Sequence, residues 1–192
     1  QPFETAGTAL ALPRPVSVTR LIERRVAQLS AGALALARVA AIAGVDFGVP
    51  LAEHVLQVPA MRLADAITEL EAAQVLRGNQ FAHDLVADAV HGGVPATVAS
   101  HTHAQVALWL QAHGGEPARV AGHWIAAGQP LQALPWLQQA ADAARGAVRH
   151  REYIQFLDTK ARIEEEAGLL HEAFDSLLEA TQERTSIGQP PA

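Results

Sequence analysis

The stretch "NQFAHDLVADAV" at residues 79 to 90 sets His83 directly beside Asp84. An imidazole next to a carboxylate can supply half of a metal site, relay a proton or contact a phosphate. At the start of a helix the same pair can merely satisfy free backbone N–H groups. Nine histidines in 192 residues put metal ligation first among the chemistries to weigh. His101 and His103 stand two apart, so a helix points them to different sides, which is poor ligand geometry. They read as ordinary surface or core-edge histidines. With no cysteine, thiolate zinc sites, disulfides and cysteine nucleophiles are excluded. No GxxxxGK[ST], HExxH or GxSxG occurs, so the chain lacks its own P-loop and reads as non-enzymatic.

The His83–Asp84 pair is similar to the dyad of HD-type metal-dependent phosphohydrolases, the alternative function for this chain. That resemblance implies an upstream His and a downstream Asp, parts open to His54 and to Asp142 or Asp158. Against it, His54 lies in a short apolar stretch, and the dyad follows a Gly-Asn hairpin rather than a helix.

These residues must be positioned by a largely helical chain. Hydrophobic residues make up 49% and charged residues 18%, a balance that folds rather than remaining disordered. The net charge of −6, carried against thirteen Arg and one Lys, does not favour nucleic-acid phosphates. The longest apolar run is about 14 residues and contains Arg38, too short to span a membrane. With no secretory signal either, a cytoplasmic location is expected. The first residue is Gln1 and the only methionine is Met61, as in a piece of a larger protein.

Residues 1–16 read as a linker. Residues 17–94 read as helices, a brief β-hairpin at Gly78-Asn79 and a further helix, the order of a winged-helix-like domain. In the first helix Val18, Leu21, Ile22, Val26 and Leu29 share the apolar face, and Ser30 caps the next. The helix at 61–73 carries Arg62 against Asp65, Glu69 and Glu71, which argues against direct DNA contact. Residues 95–192 read as helices at 95–112, 117–127, 130–147, 149–167 and 169–184, with Pro135 kinking the third.

An internal repeat runs through this second part. "AGQPLQALPWLQQA" at 127–140 aligns with "AGLLHEAFDSLLEA" at 167–180, an offset of 40 residues. The matches are Gly128 with Gly168, Ala133 with Ala173, Leu137 with Leu177 and Ala140 with Ala180. Gly at a helix corner and Ala on the facing sides permit close helix packing, as in tetratricopeptide-like repeats. The period exceeds the usual value of about 34, which predicts longer helices. The fold class is therefore all-α, with a winged-helix-like domain and a truncated helical-repeat superhelix.

The segments "RLIERRVAQLS", "ALARVAAIAGVDFGVPL", "FAHDLVADAV", "THAQVALWL" and "GHWIAAGQPLQALPWLQQAA" together resemble one family. It is the region downstream of the ATPase core in bacterial STAND-class signal-transduction ATPases, including LuxR-type and maltose-regulator-like transcriptional regulators. The resemblance covers residues 17 to 184. It implies an ATPase domain upstream in cis, a winged helix, and repeats that receive a protein or small-molecule inducer. No cofactor is implied for this fragment, and ATP or ADP with Mg for the parent. By the same resemblance His83 is a nucleotide sensor contacting the β-phosphate of ADP, with Asp84 capping or orienting its helix. The alternative is that His83 only caps and packs the helix start. The chain departs from the family pattern in lacking arginines in "PATVASHTHAQ" and in carrying His91 where Tyr is common.

Overall fold

The computed structural model describes residues 16–188, with side chains from Arg20 onward. The linker expected at 1–16 lies outside the described residues except for Val16, the first residue of α1. Among the described residues the fold is all-α apart from one two-stranded ribbon. Its first helices are α1 (Val16–Ala27), α2 (Ala31–Ala43), α3 (Val49–Leu56) and α4 (Ala60–Ala72), with a 3-10 turn at Gly44–Asp46 after α2.

α2 is apolar almost all round and is accordingly central, packing on α3, α4 and two later helices. Ser30 caps it, its Oγ accepting from the Ala33 N–H at 3.2 Å. The Glu69 carboxylate of α4 accepts from the Ser30 N–H at 2.6 Å and from its hydroxyl, fixing the cap. These bonds hold the Glu69 carboxyl below its ordinary range. In α1, Ile22 is buried and Val26 and Leu29 are half-buried. Leu21, expected on the same face, is exposed, because the contacts of α1 cover only a narrow stripe.

The ribbon pairs β1 (Leu76–Arg77) with β2 (Gln80–Phe81), Leu76 opposite Phe81. Gly78 turns it at φ +60, the position where a II′ hairpin needs glycine. Then come α5 (Asp84–Gly92) and α6 (Ala96–Ala112). α6 packs on α2 and α3, so one buried cluster runs from Ile22 through Val106 to Leu137 across the boundary drawn at 94.

Four more helices follow: α7 (Pro117–Ala126), α8 (Pro130–Gly146), α9 (His150–Glu166) and α10 (Leu170–Ser186). Each packs mainly on its neighbours in sequence, and the three-residue connectors make them antiparallel hairpins. The last three are each 17 residues long, matching the long period. α8 continues through Pro135 as one helix. Each of these helices is followed by a left-handed residue, at Gly128, Val148, Gly168 and Gly188. The N–H after the first three bonds back to Trp124, Ala144 and Glu164 carbonyls at 3.0, 2.8 and 2.8 Å, as in a Schellman motif.

Candidate functional site

His83 is the N-cap of α5, with extended backbone at φ −152 and ψ 142. Its carbonyl accepts from the Val86 and Ala87 N–H groups, at 3.0 and 3.3 Å, but its side chain makes no capping bond. The residue is exposed. Asp84 follows as the first helical residue, also exposed. His83 thus occupies the cap position of α5 through its backbone, without a side-chain capping bond, and Asp84 lies one position past it, in the first turn. The acid in the first turn still complements the helix dipole.

The residues cast beside this dyad are dispersed. His54 is on α3, Asp142 bonds Gln138 within α8 at 3.1 Å, and Asp158 pairs with Arg184 of α10. Among the described residues no three His, Asp or Glu side chains are gathered as a metal site would need.

In the array Ala133, Leu137, Ala140, Ala173 and Ala180 are buried, and Gly128 and Gly168 turn the corners at φ +72 and +79. Leu177 is the correction. It is 45% exposed, whereas its counterpart Leu137 is 3% exposed. α8 is covered by both α7 and α9, but α10 packs mainly on α9. Leu177 thus joins Leu170, Phe174 and Leu178 on an open apolar face of α10. A groove of 490 Å³ lies at the α7–α8 corner, lined by Gly128, Leu131, Ile163, Glu166 and Ala167.

The α9–α10 contact is polar within. Lys160 Nζ donates to Ser176 Oγ and pairs with Glu164 Oε1, both at 2.8 Å, and Ser176 Oγ donates to Glu164 Oε2 at 2.8 Å. Tyr153 donates to Glu179, and His150 pairs with Glu183. Burial and the Glu179 carboxylate push the Tyr153 phenol up to about 12.

Sequence reasoning missed a cluster where the 3-10 turn, α6 and α7 meet. His103 Nδ1 and His123 Nδ1 are 2.9 Å apart, with ring centroids at 5.1 Å and planes tilted by 42°. His123 Nε2 lies 3.7 Å from Asp46 Oδ2. Arg119 NH1 is 2.7 Å from Asp46 Oδ1, and its Nε is 3.1 Å from Glu116. Burial, then His123 and His91, lower His103 to about 4, and burial with Arg119 also lowers His123. Burial raises Asp46 despite the opposing Arg119. Both shifts favour the neutral imidazoles, between which one Nδ1 donates its proton to the other. The pair was hidden because its members lie twenty residues apart, at 103 and 123, and meet only when α6 and α7 form a hairpin.

No protein-family model, no curated protein and no solved structure matches the chain in these comparisons.

Proposed function

We propose that this chain is a non-catalytic regulatory and protein-interaction segment of a bacterial STAND-type ATPase or transcriptional regulator, acting in the cytoplasm. The carrying observation is the open face of α10. Leu170, Phe174, Leu177 and Leu178 stand at i, i+4, i+7 and i+8 and are 45–68% exposed. Such a stripe at the end of a regular helical array is suited to receiving a partner's apolar surface. The helices and short ribbon before it support reading a winged-helix-like unit there, and the antiparallel hairpins of α7 to α10 support reading a tetratricopeptide-like array. In this reading the repeats receive an inducer or partner protein and bias the nucleotide switch of an upstream ATPase domain, which holds ADP or ATP with Mg.

His83 supports the same reading independently. An exposed histidine with no side-chain capping bond at a helix start is placed to meet a phosphate that arrives from another domain. A hydrogen bond to a charged group contributes roughly 1.5–3 kcal/mol, which shifts a two-state equilibrium by about 10–150-fold.

Two substitutions in the full-length regulator test this. His83→Ala should speed ADP release and raise basal output, while leaving the thermal unfolding of the present chain within about 0.5 kcal/mol of wild type. Phe174→Asp with Leu178→Asp should abolish the inducer response at unchanged basal ATP turnover. An unaltered inducer response and unaltered ADP release in the two folded variants would overturn the proposal.

A further inference from the structure

The internal repeat makes α8 a template for the surroundings of α10. Leu134 and Leu137 of α8 hold the places that Phe174 and Leu177 hold in α10, at the offset of the repeat. Leu137 is 3% exposed and Leu134 is half-buried, because α8 has a helix on either side. Phe174 and Leu177 are 62% and 45% exposed, because α10 packs mainly on α9. The neighbour that α8 has and α10 lacks is a helix. A helix is therefore the shape that fits the open face, its side-chain ridges entering the grooves between residues three and four apart.

Charge selects among helices. Leu170, Leu177 and Arg184 follow one another at seven-residue steps and so form one row along α10. Arg184 pairs with Asp158 of α9, which sets the outer ridge of α9 beside that row. Further along the ridge come Glu165, exposed, and Arg162, which pairs with Glu166 at 3.1 Å. Asp175, 64% exposed, follows Phe174 and borders the opposite edge of the face. The two rims thus hold the carboxylates of Asp158, Glu165, Glu166 and Asp175 against the guanidiniums of Arg162 and Arg184. The excess is negative. Two copies meeting through this face would set acidic rims against each other, and an anionic membrane would be repelled in the same way. Positive flanks are attracted.

We propose that this face, on its reading as a regulator's interaction surface, receives an amphipathic helix with basic flanks from a partner protein. The partner's apolar ridge, spaced i, i+3 or i+4 and i+7, seats on Phe174 and Leu177. Its lysines or arginines lie beside Glu165 on one rim and Asp175 on the other. The stripe from Leu170 to Leu178 is about 12 Å long, so a partner helix of about three turns covers it.

The test offers the whole chain three labelled synthetic peptides of about 18 residues, long enough to form a helix. One has leucines at helical spacing with lysines on both flanks, one has glutamates in place of the lysines, and one is scrambled. Fluorescence anisotropy should show the lysine peptide binding at least about tenfold more tightly than the other two, and less tightly as salt rises. Phe174→Ala should weaken it at least about tenfold, and Glu165→Lys with Asp175→Lys by a similar factor. Leu108→Ala, on α6 and 47% exposed, should leave it unchanged. Amide NMR of the wild type needs no variant to fold: shifts on adding the lysine peptide should centre on residues 170–178. Equal affinity for the lysine and glutamate peptides, full affinity in a folded Phe174→Ala chain, or shifts centred elsewhere would overturn the proposal. So would a chain that sediments as a dimer and keeps that state in excess lysine peptide. If the peptide fails while Phe174→Asp with Leu178→Asp still abolishes the inducer response, the basic helix is discarded and the regulatory face stands. If the peptide binds as expected and the inducer response is unaltered, the regulatory reading alone falls.

Discussion

Val148 stands where the array otherwise places glycine. At the α8–α9 corner its φ is +58, against +72 and +79 at Gly128 and Gly168. A side chain at Cβ crowds the carbonyl there, and a β-branched residue is worse placed than most. The strain is of the order of 2–3 kcal/mol. Val148 is 68% exposed, so its side chain returns only about 0.5 kcal/mol by burial. Glycine at this position loses more backbone entropy on folding, about 0.5–1 kcal/mol. The difference leaves Val148→Gly more stable by about 1 kcal/mol, or roughly 2–4 °C in melting temperature for a chain of this size.

The reverse substitution supplies the control. An added Cβ at Gly168 meets nothing within 4 Å, so Gly168→Val tests conformation without a clash and should cost about 2 kcal/mol. Urea and thermal unfolding of the two variants, followed by circular dichroism, measure both signs. The reasoning fails if Val148→Gly lowers the midpoint, or if Gly168→Val leaves it unmoved. Either result would mean that the corners are not left-handed Schellman turns.

Other substitutions probe the packing. A Cβ at Gly115 would stand 2.7 Å from Leu110 Cβ, so Gly115→Ala should cost about 1–3 kcal/mol by urea midpoint. Glu164→Ala leaves Lys160, whose side chain is only 18% exposed, beside a vacated buried site, for a loss of about 2–4 kcal/mol. Glu164→Gln, which keeps an acceptor for Ser176, should lose less in the same titration. The raised Tyr153 phenol gives a pH signature. Because its folded value of about 12 exceeds the ordinary 10, its stabilisation is complete below pH 10 and disappears as pH rises towards 12. After allowance for solvent screening at Glu179, that loss is roughly 1–2 kcal/mol, and Tyr153→Phe should flatten the alkaline limb of the stability curve.

Much of the helical frame was legible because it rests on local chemistry. Gly128 and Gly168 announced the corners, Ser30 the start of α2, and Gly78-Asn79 the ribbon; each acts within a few residues of itself. The candidate site was only half legible. The position of His83 at the start of α5 follows from the local pattern, but whether its ring caps the helix depends on a rotamer that no spacing encodes. The His103–Asp46–His123 cluster joins residues from three elements and has no local signature at all.

Leu177 shows why a repeat does not transfer burial from one copy to the next. The alignment equates it with Leu137, and for Ala133 with Ala173 and Ala140 with Ala180 the equation holds, all four being buried. Leu137 is buried because α8 also has α7 behind it, whereas α10 packs chiefly on α9. The buried stripe of α10 is instead Ala173, Ser176 and Ala180, and Ser176 is committed to Lys160 and Glu164. Rotating α10 to bury Leu177 against α9 would break those charged bonds and the Tyr153 and Arg184 pairs beside them. The polar contact therefore selects which face of α10 turns inward. The apolar face that remains outward is a consequence of that selection.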